Sequence, residues 1–257
     1  MVGMIVGFGC VVISIMTTGN LMDFVDIGSV FVVFGGVLGA TIASYSSEQL
    51  KSVRQAVGIA MKREKLDIDA DIENIISIAN VARRDGLLAL EEMTDSMQDP
   101  FLKKGIMLVV DGSDPELIQS IMETDLALTK ERHANNRGVL DSMAAYAPAF
   151  GMIGTLIGLI NMLKSLNDMS SLGSNMSVAL VTTFYGSMLA NLVFSPLSKR
   201  LKTVGNLEYL RKELMLEGIL AIQNGENPRA IKEKLYAFLA NAHQQQLQES
   251  EKKKKEG

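Results

Sequence analysis

Four long stretches of this chain contain no Asp, Glu, Lys or Arg, and this segregation of charge constrains the fold more than any other feature. The stretches are residues 1–22, 27–47, 142–163 and 169–198. Each supplies about the 20 residues that a helix needs to cross a bilayer. The sequence therefore predicts an all-α integral membrane protein with four transmembrane helices and a large helical cytoplasmic domain. A helical hairpin buried inside a soluble protein is the alternative.

The distribution of basic residues predicts the orientation of the chain. Of the 25 Lys and Arg residues, 12 lie within residues 51–137, 12 lie from residue 199 onward, and the last is Lys164. The connections 17–26 and 165–175 contain none. Because cytoplasmic loops are enriched in Lys and Arg, both termini and the middle segment are predicted to be cytoplasmic.

These patterns divide the chain into four segments. Residues 1–47 hold transmembrane helices 1 and 2, 48–141 form the cytoplasmic helical domain, 142–198 hold transmembrane helices 3 and 4, and 199–257 form cytoplasmic helices with a disordered basic tail. Apolar residues at three-and-four spacing predict one amphipathic helix over 71–93. Asp99-Pro100 and Asn227-Pro228 have the composition of helix starts.

Small and hydroxyl-bearing residues lie along the third and fourth apolar stretches. Pro148 and Thr155 are two helical turns apart, so they share a face of the third helix. The fourth stretch carries Thr182 and Thr183, with Pro196 at its cytoplasmic end. Helix packing explains any one of these residues, because small side chains let transmembrane helices approach closely. A proline and threonines in consecutive helices are a more specific signal, because packing alone does not require both. They indicate helix faces that line a path for an ion.

No Asp, Glu, Lys, Arg or His occurs in the four apolar stretches. Proton and sodium relays normally depend on an ionisable residue within the membrane. A self-sufficient pump is therefore disfavoured, and the titrating carboxylate is expected from another chain. The single cysteine, Cys10, excludes a disulfide framework and offers no metal cluster, so no metal or other cofactor is expected. The net charge of −4 gives no reason to expect a nucleic-acid partner.

Several segments, in order along nearly the whole chain, resemble the A subunit of the flagellar motor stator, the MotA/PomA family. They are "ARRDGLLALEE", "DLALTKERH", "APAFGMIGTLIGLINML", "ALVTTFYGSMLANLVFSPL" and "EGILAIQNGENPR". The family is related to the ExbB and TolQ energy transducers, which share the pattern of the third and fourth spans. The charged "ARRDGLLALEE" segment favours the motor branch.

The resemblance implies a homopentamer in the bacterial inner membrane, placed around a dimeric B-type subunit (MotB- or PomB-like) whose transmembrane Asp carries the ion. It also implies an ion pathway formed by Pro148, Thr155, Thr182, Thr183 and Pro196. Asp26 matches an acidic position found in some relatives. The alternative for Asp26 is an exposed acid beside a membrane anchor.

Two basic and two acidic residues of the middle segment are candidate rotor contacts. Arg83 and Glu91, like Arg84 and Glu92, are eight residues apart, which on one helix means about 12 Å along the axis and about 80° around it. A solvated helix face explains these charges from the residues alone. The resemblance implies instead that they engage charged residues of the rotor protein FliG.

The expected function is that of a flagellar motor stator subunit rather than an enzyme. With its B-type partner it would form a cation channel and convert ion-motive force into torque for swimming. An ExbB- or TolQ-like proton channel is the alternative within the superfamily, and a passive membrane scaffold is the alternative from another class. The residues leave H⁺ and Na⁺ open, because threonine oxygens ligate Na⁺ or order water for a proton. H⁺ is the expected cation.

Overall fold

The chain is built from helices alone within the part that the structure describes. The computed structural model describes residues 2–61, 68–164, 166 and 169–239, and these contain no β-strand. The helices are α1 (Val2–Thr18), α2 (Ile27–Val30), α3 (Gly36–Ser44), α4 (Ser47–Met61), α5 (Ile68–Asp85), α6 (Leu90–Thr94), α7 (Pro100–Val110), α8 (Pro115–Lys164), α9 (Met169–Met188), α10 (Ser195–Gln223) and α11 (228–239). The predicted disordered tail, from residue 244, lies outside the described residues.

Among the described residues, three helical segments are long and apolar enough to cross a membrane: Leu21–Ser44, Pro115–Lys164 and Leu172–Gln223. The all-α prediction is confirmed. The remaining predicted span corresponds to α1, an apolar helix of 17 residues. At about 1.5 Å per residue, α1 is a little shorter than a hydrocarbon core of about 30 Å. The fourth span therefore stays a prediction.

Two helices continue through the segment boundaries that the charge pattern suggested. Helix α8 has 50 residues and passes residue 141 without a break, and α10 has 29 residues and passes residue 198. The chain forms two compact units, one from Met1–Arg63 with Arg132–Val204 and one from Glu64–Glu131 with Gly205–Gly257. A change from charged to apolar side chains leaves backbone hydrogen bonding intact, so it does not end a helix.

In the first unit, α8 and α9 approach each other at glycines. A Cβ on Gly186 would lie 2.5 Å from the carbonyl oxygen of Ala147 and 3.3 Å from Cα of Gly151. A Cβ on Gly151 would lie 3.1 Å from the carbonyl oxygen of Thr182. Because these neighbours are backbone atoms, a side chain at either position would force the helices apart.

The second unit has an extensive apolar core. Side chains from α5, α7, α8, α10 and α11 pack together, including Ile72, Ile75, Ile78, Phe101, Leu102, Ile106, Ile118, Met122, Leu214, Met215, Ile219, Ile231 and Leu235. Helix α7 begins at Pro100, where Asp99 accepts hydrogen bonds from the amides of Phe101 and Leu102. The amide of Arg229 donates to the side chain of Asn227 at the start of α11. Both predicted helix starts are confirmed.

One arginine joins three helices of the second unit. Arg211 of α10 donates to both carboxylate oxygens of Asp71 on α5, and its Nη1 lies 2.9 Å from Oδ2 of Asp99, the residue that caps α7. Hydrogen bonding to Asp71 raises the pKa of Arg211. The exposed side-chain fractions are 24% for Arg211, 12% for Asp71 and 17% for Asp99. Little water could therefore solvate the two carboxylates if Arg211 were removed.

We expect Arg211→Ala to destabilise the protein by about 3 kcal/mol, because it leaves two partly buried carboxylates without their cation. At about 2–4 °C per kcal/mol for a chain of this size, the apparent melting temperature should fall by about 10 °C. Arg229→Ala, at an exposed position in the same unit, is the control. Equal melting temperatures for the two variants would contradict the assigned role of Arg211.

We expect Gly186→Ala to loosen the packing of α8 against α9, because the new methyl group meets backbone atoms that cannot move independently. Overpacking of this kind costs about 1–3 kcal/mol. Thermal unfolding in detergent measures the effect. Gly173→Ala is the matched control, since Gly173 is in the same helix and has no atom within 4 Å of its Cβ position. The assigned close approach is wrong if both variants melt alike.

Candidate functional site

Two of the three predicted pathway threonines meet between the third and fourth apolar stretches. The hydroxyl oxygens of Thr155 on α8 and Thr183 on α9 lie 2.5 Å apart. The Thr155 hydroxyl also lies 3.1 Å from each of the carbonyl oxygens of Gly151 and Ala179, and that of Thr183 lies 3.4 Å from the Ala179 carbonyl. Thr183 is exposed and Thr155 is half-buried. Together they form an accessible pair of hydroxyls beside two backbone carbonyls.

Thr182 is not a member of this hydroxyl pair, although its hydroxyl approaches the same Ala179 carbonyl. Its side chain is fully buried, and its hydroxyl is within hydrogen-bond distance of the Val178 and Ala179 carbonyls of its own helix. Its methyl and hydroxyl groups occupy the space that a Cβ on Gly154 would need. In this chain Thr182 therefore packs α9 against α8, and its role in the ion pathway stays a prediction.

The two predicted prolines occupy different local structures. Pro148 lies inside α8 and is exposed. Because proline has no amide hydrogen, the carbonyl of Ala144 loses its usual donor four residues ahead. Pro196 follows a π-helical segment, Leu189–Phe194, in which the amide of Ser195 donates to the carbonyl of Ala190, five residues back. Each proline thus lies where the ordinary α-helical hydrogen-bond pattern is interrupted.

Sequence reasoning missed the π-helical segments. One is Leu189–Phe194, and a second is Phe31–Gly35 in the second apolar stretch. Such segments are frequent at functional sites. Pro196 is a local signal of the first segment, and the Gly35-Gly36 pair is a local signal of the second.

Asp26 is a helix cap in this structure. Its Oδ2 lies 2.6 Å from both the amide nitrogen and the hydroxyl oxygen of Ser29, at the start of α2. The amide of Asp26 donates over 3.4 Å to the hydroxyl of Tyr185, which donates to the carbonyl of Phe24. Sequence reasoning did not identify Tyr185. A role of Asp26 in ion movement stays a prediction.

The four predicted rotor-contact residues do not lie on one helix, so the helix predicted over 71–93 is wrong. Helix α5 ends at Asp85, and Gly86 has φ +89°, a left-handed conformation that favours glycine. A 3₁₀ turn, Leu87–Ala89, then leads into α6. The helical separation of about 12 Å and about 80° therefore does not apply to these pairs. The Gly after "ARRD" was the available signal for a helix end.

All four charged residues are exposed, but their electrostatic settings differ. Arg84 makes an ion pair of 2.8 Å with Asp85, which the sequence reasoning had not included. Their hydrogen bond raises the pKa of Arg84 and lowers the pKa of Asp85. Within the described ranges, Arg83, Glu91 and Glu92 form no ion pair. These three charges are available to another molecule, whereas the charge of Arg84 is already partly balanced.

Among the described residues, no three His, Cys, Asp or Glu side chains are arranged to hold a metal ion. The polar groups around the Thr155–Thr183 pair, between α8 and α9, are instead neutral hydroxyls and backbone carbonyls. Such oxygens can ligate a monovalent cation or order water, but they do not titrate near neutral pH.

Comparisons with known proteins find relatives that this chain resembles over nearly its whole length. Motility protein A of Borreliella burgdorferi is 39% identical over 250 residues, which cover 97% of this chain and 96% of that protein. Chemotaxis protein PomA of Vibrio alginolyticus is 38% identical over 239 residues, covering 93% of this chain and 94% of that protein. The solved structure of C. jejuni MotAB matches with a TM-score of 0.87 at 28% identity, covering 92% of this chain and 93% of that chain.

A family model described as the MotA/TolQ/ExbB proton channel family matches residues 93–214. The matched range contains the hydroxyl pair and both prolines. The resemblance found in the sequence motifs is therefore confirmed, and the chain belongs to the MotA/TolQ/ExbB proton channel family.

Proposed function

We propose that this chain is the A-type subunit of a flagellar motor stator, which forms a cation channel with a B-type partner and converts ion-motive force into torque. The observation that carries this proposal is the Thr155–Thr183 hydroxyl pair, located between two candidate membrane spans of a channel-family protein. The near full-length relatives named Motility protein A and Chemotaxis protein PomA support the motor branch of the family.

The proposed assembly is a homopentamer around the B-type subunits, in the bacterial inner membrane and in contact with lipid. Large apolar side chains remain exposed on α8 in the single chain, among them Met152, Leu156 and Ile160. Such a surface needs lipid or other subunits to cover it. The solved MotAB complexes of relatives support a B-type partner. Four spans, cytoplasmic termini and the divisions 1–47, 48–141, 142–198 and 199–257 belong to this proposal.

The proposed mechanism separates the walls of the pathway from its titrating group. A cation binds an Asp of the B-type subunit and neutralises it, so that this group moves past apolar walls at low cost. Thr155 and Thr183 offer oxygens along that path, and Pro148 and Pro196 interrupt helical hydrogen bonding beside it. Each ion crossing 100 mV supplies about 2.3 kcal/mol. An exposed ion pair contributes about 0–1 kcal/mol, so one ion suffices to break such a contact.

The proposed rotor contact uses the exposed charges around Gly86. Arg83 together with Glu91 and Glu92 presents both signs of charge, and Arg84 does so through its pair with Asp85. Exposed charges align and steer a partner without holding it for long. That property suits a contact that must break at every step of the rotor protein FliG.

An ExbB- or TolQ-like transducer is the second candidate, because the matched family model includes both. A transducer has no rotor to contact, so charge reversal at Arg83 separates the two functions. In either case the chain is proposed to act as a channel subunit rather than an enzyme, and H⁺ is the proposed cation in preference to Na⁺.

We expect Arg83→Glu to abolish or sharply reduce torque while membrane insertion and assembly persist, because the side chain is exposed and outside the candidate spans. Rotation of tethered cells measures torque. Reversal of the opposing charge on the rotor protein should restore torque. Normal swimming of the Arg83→Glu, Glu91→Lys double mutant would contradict the proposed pairing of these charges with charges of the rotor protein.

We expect the chain alone not to conduct, because hydroxyls and carbonyls do not offset the cost of an unaccompanied ion in hydrocarbon. Flux into liposomes loaded with a pH- or Na⁺-sensitive dye should appear only with the B-type partner. It should vanish when the partner's intramembrane Asp becomes Asn. Selective flux through the chain alone would refute the proposal that the B-type partner supplies the titrating carboxylate.

In the same complex, Thr183→Ala should change flux or ion preference far more than Thr203→Ala. Both threonines lie near a backbone carbonyl four residues earlier, but no second hydroxyl of the described ranges pairs with Thr203. Comparison of the two dyes identifies the cation.

A further inference from the structure

Leu88 is the most exposed of the large hydrophobic side chains described in the second unit. Its exposed fraction is 74%, compared with 61% for Leu128 and 51% for Leu117. An isolated exposed leucine is common in proteins and indicates little by itself. The position of Leu88, between the two groups of exposed charges, is what distinguishes it.

The turn that carries Leu88 has a defined conformation. Gly86 has a positive φ, and the amide of Ala89 donates to the Gly86 carbonyl over 3.2 Å. Two residues after Leu88, the side chain of Leu90 is fully buried in the apolar core. Leu88 is thus held outward by a turn that is fixed at both ends, rather than carried on an unanchored loop.

The surroundings of Leu88 match the composition of a protein-binding surface. Arg83 and Arg84 precede it, and Glu91 and Glu92 follow it, all of them exposed. In protein interfaces a few apolar anchors contribute most of the affinity, and a polar rim around them contributes orientation and association rate. A fixed leucine among charges of both signs has this arrangement.

The charges also indicate what kind of molecule binds. Asp85, Glu91 and Glu92 would repel an anionic lipid surface, and Arg83 and Arg84 would repel a uniformly basic one. A protein face that carries both signs of charge around an apolar depression is complementary to this surface.

We propose that Leu88 is the apolar anchor of the rotor contact and that it inserts into an apolar depression on the rotor protein. This inference rests on the rotor contact proposed above and adds a group that the charges do not supply. The charges steer the rotor protein into place, and burial of Leu88 prolongs the contact. Because burial of an apolar side chain does not depend on charge screening, the two contributions differ in their response to salt.

The experiment measures the affinity of purified rotor protein FliG for the purified stator complex, which contains this chain and its B-type partner, at low and at high salt. Leu88→Ser should weaken binding about tenfold at both salt concentrations, since that is the order of effect of exposing one leucine. Arg83→Ala should weaken binding mainly at low salt. Leu88→Met, which keeps volume and apolar character, should bind like the wild type.

Leu117→Ser is the control for removing an exposed leucine elsewhere in the same unit, and it should leave the affinity unchanged. The melting temperature and ion flux of each complex show whether it remains assembled. Leu88→Ala is measured as well as Leu88→Ser. The Ser variant removes apolar atoms and adds a hydroxyl, whereas the Ala variant only removes apolar atoms.

The outcomes separate this inference from the function it rests on. If wild type binds FliG and assembled Leu88→Ser and Leu88→Ala complexes bind equally well, the anchor is refuted while the rotor contact stands. If wild type does not bind FliG at either salt concentration, the rotor contact and the anchor are both refuted. Leu88-dependent binding to vesicles of anionic lipid, without binding to FliG, would also overturn the inference.

Discussion

Polar groups inside a membrane have no water to bond with, and the arrangement of the spans depends on that constraint. Thr182 meets it by returning its hydroxyl to carbonyls of its own helix. Thr155 and Thr183 meet it by pairing with each other and with the Ala179 carbonyl. Asp, Glu, Lys, Arg and His occur only outside the four apolar stretches. The protein therefore combines neutral, hydrogen-bonded polar groups in its apolar stretches with charged side chains elsewhere.

Features that depend on neighbouring residues were predictable from the sequence. Apolar stretches predicted the all-α class because their length alone matches a bilayer. The two-turn spacing of Pro148 and Thr155 and the separate threonines of the fourth stretch predicted a hydroxyl-lined face, and the structure brings Thr155 and Thr183 together. Asp99 was recognised as a cap because its side chain bonds amides two and three residues ahead.

Features that depend on distant partners were not predictable. Arg211 and Asp71 are 140 residues apart, and nothing in either local sequence indicates the other. Tyr185 and Phe24 are likewise joined only by the fold. The helix break at Gly86 is a different case: apolar periodicity continues across it to Leu90, so the pattern favoured one helix although glycine permits a left-handed turn. That break is what leaves Leu88 exposed between oppositely charged groups.

The paired hydroxyls also have a direction. Each threonine has one proton to donate, whereas the Gly151 and Ala179 carbonyls and the other hydroxyl all accept. If Thr155 donates to a carbonyl, Thr183 donates to Thr155; if Thr183 donates to Ala179, Thr155 donates to Thr183. The two arrangements have the same heavy atoms and opposite polarity. A cation near the Thr183 oxygen would favour the arrangement whose lone pairs face it, so the pair can turn acceptor oxygens toward a cation without any heavy atom moving.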